Sequence, residues 1–185
     1  MIVLIIAAAV FLIGAMLYNT LISRKNQIEY AYGAIDAMLK KRFDLLPNLV
    51  DTVKRYMTYE QDTLSKIIEL RENVRTHPGM PTEERIRAED NITNLLGKVR
   101  LAVENYPELK ANASFLQLQN TWAEIEEQLS AARRTYNAAI TSYNNAVEMF
   151  PTNIIAGMMN YSRKEVLSIQ EAERPSPNAT DLFNS

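Results

Sequence analysis

FLQLQNTWAEIEEQLSAARRTYNAAITSYNNAVEMF, Phe115 to Phe150, is the stretch whose reading decides the architecture. Phe115, Leu118, Trp122, Ile125, Leu129, Ala132, Tyr136, Ala139, Tyr143, Ala146 and Phe150 follow one another at alternating steps of three and four, with neither glycine nor proline between them. Sustained over the whole stretch, this pattern describes about 50 Å of helix. A repeat of 3.5 residues, shorter than the helix's own 3.6, predicts a left-handed seam packed against neighbouring helices.

Outward from this stretch, glycine and proline punctuate the chain. Tyr106-Pro107 sets it off from a segment running from Thr82 to Tyr106, where Ile86, Ile92, Leu95, Leu96, Val99 and Val103 again fall at helical spacing. Thr76-His77-Pro78-Gly79-Met80-Pro81 is a loop. The segment before it carries Ile28, Ile35, Leu39, Leu46, Val50, Val53, Met57, Leu64 and Ile67. Pro47 lies inside this series, where it lacks an amide donor and crowds the preceding turn. Because the apolar period continues past it, a kink is favoured over a new start. Beyond Phe150-Pro151, Ile154, Ile155, Met158, Met159, Val166, Leu167 and Ile169 give one stripe to a short helix over about 154–173, and PSPNATDLFNS reads as a tail. The expectation is an all-α fold: an N-terminal transmembrane helix, then an elongated antiparallel up-down-up bundle with coiled-coil-like packing. Its units are 1–23, 24–150 (helices about 24–75, 82–106 and 112–150) and 151–185.

The first stretch is a membrane segment. MIVLIIAAAVFLIGAMLYNTLI, Met1 to Ile22, is apolar almost throughout, and Arg24 is the first charged side chain. As a helix it covers roughly 30 Å, the thickness of the hydrocarbon core of a bilayer. A cleaved signal peptide would begin with a positive region and end at small residues, whereas here the apolar run starts at Ile2 and exits through Met16-Leu17-Tyr18. A retained anchor is the better reading. Arg24, Lys25, Lys40, Lys41 and Arg42 follow the span, so the body is expected on the cytoplasmic side and the N-terminus outside.

Composition narrows the function classes. The formal net charge of the 185 residues is −2, which predicts neither nucleic-acid binding nor a polybasic lipid surface. With no cysteine there are no disulfides, thiolate metal sites or cysteine catalysis. A di-iron carboxylate site of the helical-bundle type needs Glu-x-x-His on two helices, and the chain has one histidine, His77, in a loop. The five glycines are scattered and form no phosphate loop. Glu83-Glu84 and Glu126-Glu127 read as solvated helix faces. No catalytic, cofactor-binding or metal-ligating residue is expected, and the chain reads as a non-enzyme.

Polar residues interrupt the seams. Extending the first segment's register past Met57 reaches Glu60 and Arg71 where apolar residues are expected, and Glu126 and Arg133 stand a heptad apart beside the third segment's stripe. They read either as charges flanking a seam or as an interior ionic network, which would fix register more than add stability. Tyr136-Asn137 recurs one heptad later as Tyr143-Asn144, and reads as core tyrosine with an asparagine that specifies register.

Together these residues resemble the LemA family. Its signature is similar to Tyr18-Asn19, Arg24-x-Asn26, Ile35-Asp36 and Leu39-Lys40-Lys41-Arg42-Phe43-Asp44-Leu45-Leu46-Pro47-Asn48-Leu49-Val50. It continues through Val53-Lys54-x-Tyr56, Glu60, Glu89, Glu104-Asn105-Tyr106-Pro107-Glu108-Leu109-Lys110-Ala111, Phe115-Leu116-x-Leu118-Gln119 and Glu126, then Ala132-Arg133-Arg134-x-Tyr136-Asn137, Tyr143-Asn144 and Phe150-Pro151. The resemblance covers about 15–160. It departs at Trp122, where leucine is usual, and at Met158-Met159-Asn160-Tyr161, where a Gly-Phe pair is common, which leaves the docking of the C-terminal segment open. The resemblance implies a single-pass bacterial membrane protein and marks Arg42, Asp44, Pro47, Asn48, Glu60, Arg71, Glu104, Glu126, Arg133, Tyr136 and Asn137 as structural positions. It implies no activity. One branch is associated with shaping magnetosome membranes, and others are linked with membrane proteases and envelope stress.

The expectation is a membrane-anchored helical scaffold of the bacterial inner membrane. It holds the bilayer through 1–23, self-associates, has room for a membrane protein partner, and binds no cofactor or nucleic acid. The alternative is an adaptor or regulator of a membrane protease or envelope-stress system.

Overall fold

The structure, a computed structural model, describes residues 1–57, 59–77 and 82–167. Pro78–Pro81 of the expected loop and the expected tail lie outside the described residues. The elements are α1 (Ile2–Lys54), α2 (Gln61–Thr76), α3 (Thr82–Val103), α4 (Pro107–Lys110), α5 (Ala113–Glu148) and α6 (Thr152–Met158), with no strand among the described residues. They form two compact units: Met1–Tyr32 with Arg133–Ser185, and Gly33–Ala132. Both α1 and α5 contribute to each.

In the 33–132 unit, α1, α2, α3 and α5 alternate in direction. Arg71 of α2 meets the Phe43 carbonyl of α1, while Asp36 and Arg42 of α1 pair with Arg85 and Glu89 of α3 in the same order along the chain. Arg42 reaches Glu126 and Tyr56 reaches Asn112, so α5 runs against α1. The expected 24–75 helix is therefore two helices, and the bundle is up-down-up-down in place of up-down-up. The turn at Arg55–Glu60 has no glycine or proline. Tyr56 and Tyr59 are modest helix formers, and tertiary bonds hold the corner: Asn112 Nδ2 donates to Tyr56 Oη (3.1 Å) and Tyr106 Oη to Glu60 Oε2 (3.2 Å). Asn112 also caps α5, its Oδ1 accepting from the Phe115 amide at 3.0 Å. The stripe read from sequence survives the turn, for Ile35, Leu39, Leu46, Val50, Val53, Met57, Leu64 and Ile67 are all buried.

Pro47 neither ends nor restarts α1; it lies inside the helix. The residue at 47 would ordinarily donate to the carbonyl of residue 43, and proline has no such donor. Arg71 supplies it: its Nε donates to the Phe43 carbonyl at 2.9 Å. The seam position that looked ionic thus satisfies the backbone acceptor that Pro47 leaves open.

In the other unit, the first part of α1 packs against the last part of α5. Tyr32 faces Tyr136, with ring centroids 6.2 Å apart, and Ile28 clusters with Ile140 and Tyr143. The buried face of α5 drifts here: Ile140 and Val147 join the core beside Tyr136, Ala139 and Tyr143, as a strict seven-residue repeat on a 3.6-residue helix requires. Phe150, the last expected seam residue, is 80% exposed.

The expected 154–173 helix stops at Met158. Asn160 takes the left-handed conformation, φ 52°, which asparagine tolerates better than most residues. The Tyr161 amide then closes the end by donating to the Ala156 carbonyl at 2.9 Å. Tyr161 packs onto the Ile28 cluster, its ring 6.2 Å from that of Tyr143. The departure at 158–161 therefore still supplies a left-handed residue followed by a docked aromatic. Residues 161–167 continue without helix.

Arg71→Met, which bares the Phe43 carbonyl, should lower unfolding free energy by about 1–3 kcal/mol. In a Pro47→Ala background, where the new amide reaches the same carbonyl, the penalty should shrink. Urea denaturation followed by circular dichroism measures both.

Candidate functional site

The core of the 33–132 unit holds a buried ionic centre that the seam reading placed elsewhere. Arg42 is 1% exposed and Glu89 2%. The Nη1 of Arg42 donates to Glu89 Oε1 and its Nη2 to Glu126 Oε2, so one guanidinium joins α1, α3 and α5. Thr93 donates to the same Glu89 oxygen at 3.0 Å. Trp122 covers the cation, its ring centroid 4.2 Å from the guanidinium carbon, a contact worth about 2 kcal/mol when desolvated. The tryptophan that departs from the family pattern thus closes the apolar side of the centre. Asp36 and Arg85 add a second α1–α3 pair.

Of the expected network, the structure brings Glu126 to Arg42 and not to Glu60 or Arg71. Glu60 accepts from Tyr106. Burial, and then the Glu60 charge, hold the Tyr106 phenol above its usual range. Arg71 serves the Phe43 carbonyl and also donates to Glu72. Glu72, hydrogen-bonded by Arg75 and flanked by Arg71, titrates below the ordinary carboxylate range. Arg133 belongs to the other unit. Among the remaining motif positions, Asp44 and Asn48 are exposed on α1 and Glu104 is exposed beyond α3, paired with Lys110 at 2.5 Å. Asn48, Asp51, Thr52 and Arg55 share a polar groove with Gln117 and Thr121.

Arg42 and Glu89 were legible as seam residues. The apolar series jumps from Leu39 to Leu46, and the missing step of three falls on Arg42. In the second segment Glu89 fills the gap between Ile86 and Ile92. The register beyond Met57 points instead to Glu60 and Arg71.

In the other unit, Asn137 and Asn144 act as a pair of backbone clamps. Asn144 Nδ2 donates to the Lys164 carbonyl (2.8 Å) and its Oδ1 accepts the Lys164 amide (2.9 Å). Asn137 does the same with Leu167, at 3.0 and 2.9 Å. Each side-chain amide stands in for the peptide group of a partner strand. The spacing fits, since three extended residues and seven helical residues both cover roughly 10 Å. The repeated asparagine is thus a register device for residues 161–167. Burial, with a smaller effect from Tyr161, raises the pKa of the Tyr143 phenol beside it.

The same unit presents the apolar segment. An 18-residue window of α1 has mean hydropathy 2.5 and none of it is buried; its length and composition suffice to cross a membrane. Met1, Val3, Leu4 and Phe11 are each at least 74% exposed. Among the described residues no cluster of three or more His, Asp or Glu is placed to hold a metal ion. What the arrangement does chemically is neutralise buried charge and satisfy backbone groups.

Replacing Arg42 with methionine should destabilise the protein by about 3–5 kcal/mol, because it strips the cation from a buried carboxylate. Glu60→Gln keeps an acceptor for Tyr106 and should cost no more than about 1 kcal/mol. Thermal melts of the two variants in one detergent give the comparison.

The chain is similar in sequence to known proteins. Protein LemA of Metamycoplasma hominis is 28% identical over 166 residues, which cover 90% of this chain and 75% of that protein. Magnetosome protein MamQ 2 of Paramagnetospirillum magneticum is 22% identical over 174 residues, covering 81% of this chain and 64% of its own length. Magnetosome protein MamQ of Magnetospirillum gryphiswaldense is 21% identical over the same shares. The chain thus spans under two thirds of the magnetosome relatives. The LemA family model matches residues 31–180, beginning later and ending later than the motif resemblance. On that match, which takes in both the Arg42 centre and the asparagine clamps, the chain belongs to the LemA family.

Proposed function

We propose that the chain is a membrane-anchored helical scaffold of a bacterial inner membrane that assembles with copies of itself and performs no catalysis. The observation that carries this reading is α1. One unbroken helix bears the apolar segment and, from Leu21 onward, the buried face. The membrane segment is an extension of the fold with no intervening linker.

The N-terminus lies outside and the bundle in the cytoplasm. Arg24, Lys25, Lys40 and Lys41 support this orientation, although Arg42 is neutralised internally. Self-association is supported by apolar side chains outside the core: Leu101 is 76% exposed and Leu116 45%. Arg42, Glu89 and Glu126 are engaged with one another, and Asn137 and Asn144 with main-chain groups, which suits an interaction protein.

Full-length protein purified in detergent should give ordered homo-oligomers by electron microscopy and a mass above the monomer by light scattering. A strictly monomeric protein that co-purifies at fixed ratio with a membrane protease would replace the scaffold with the adaptor reading.

A further inference from the structure

The turn from α5 to α6 exposes apolar side chains that the family match and the scaffold reading do not use. Met149 is 62% exposed, Phe150 80%, Ile154 56% and Met158 77%. No charged residue occurs from Met149 to Ser162. Glu148, just before this stretch, pairs with Arg163, just after it, at 3.0 Å. Such a surface is costly to leave in water.

Its place in the unit indicates what covers it. Tyr32 faces Tyr136, and Ile28 packs with Ile140 and Tyr143. In this antiparallel pair, each step back along α1 matches a step forward along α5. Extending the register brings Phe150 to the level of Tyr18, where the uncharged segment of α1 nears its end. The flanking charges lie on the far side of that level: Lys25 sits over the Tyr161 ring at 5.7 Å, and Arg163 and Lys164 follow on the exposed strap.

We propose that the α5–α6 turn is a second membrane contact, in which Phe150, Met149, Ile154 and Met158 enter the interfacial layer of the bilayer beside α1. The occupant is lipid and not a second copy, because the patch continues the unburied apolar surface of α1 within the same unit. Apolar side chains backed by basic residues at the headgroup level are the pattern of an interfacial anchor. The proposal rests on α1 crossing the membrane, and the experiment separates the two.

The chain has no cysteine, so single labels are clean. Full-length Phe150→Cys, Met158→Cys, Phe11→Cys and Thr141→Cys proteins, matched for helical content by circular dichroism, are labelled with an environment-sensitive fluorophore. They are reconstituted in phosphatidylcholine–phosphatidylglycerol vesicles carrying lipids brominated either near the glycerol or deep in the acyl chain. At 150 and 158 the emission should shift to the blue and be quenched most by the shallow bromines; at 11, most by the deep ones; at 141, by neither. Labels at 150 and 158 that behave like the one at 141, while 11 is quenched, overturn the proposal and leave the span intact. Labels at 150 and 158 shielded from both brominated lipid and aqueous iodide also overturn it, in favour of a protein–protein contact. Loss of quenching at 11 removes the span and the proposal with it.

Discussion

A guanidinium in a helical core must be neutralised where it stands. Arg42 occupies a seam position of α1 and is almost completely buried. The desolvation of such a charge costs several kcal/mol unless partners are fixed around it. Glu89 comes from α3, Glu126 from α5 and the covering ring from Trp122. An ion pair of this kind adds little net stability over a well-packed apolar pair. It does select one register between α1 and α3, because sliding either helix by a turn would part Arg42 from Glu89 and leave a charge uncompensated in the core.

Unmatched backbone groups organise what surrounds that centre. Pro47 leaves the Phe43 carbonyl without its usual donor, and Arg71 of α2 provides one. Asn137 and Asn144 pair with the backbone of Leu167 and Lys164. In each case a polar side chain on one element completes the hydrogen bonding of another, so each orders its neighbour at low cost in buried charge. Among the marked positions, Arg71 and Asn137 are partners of main-chain groups and Pro47 creates the need for one, while Asp44, Asn48 and Glu104 face outward.

The helical class and the apolar segment were legible, and every seam position read from Ile28 to Ile67 is buried, because a seam repeated over many turns leaves a periodic trace that survives even a corner. That corner at Arg55–Glu60 was not legible. No residue there forbids helix, and the bonds that hold it come from Tyr106 and Asn112, some fifty residues away. The end of α6 was hidden for another reason: Asn160 in a left-handed conformation stands where glycine would have advertised a stop. The ionic centre was half visible. Arg42 and Glu89 interrupt apolar series at seam positions and Glu126 flanks one, yet which carboxylate meets which arginine depends on helix order, and the first segment is two helices. The apolar segment of α1 is long and apolar enough to cross a membrane.

The register-setting role of Arg42 is the claim on which the account of the 33–132 unit stands. A double-mutant cycle on the full-length protein with Arg42→Met and Glu89→Gln, read by denaturation in one detergent, tests it most directly. The account predicts a coupling of about 1–3 kcal/mol between the two substitutions. Additivity to within about 0.5 kcal/mol would contradict it, because groups that do not share an interaction behave independently.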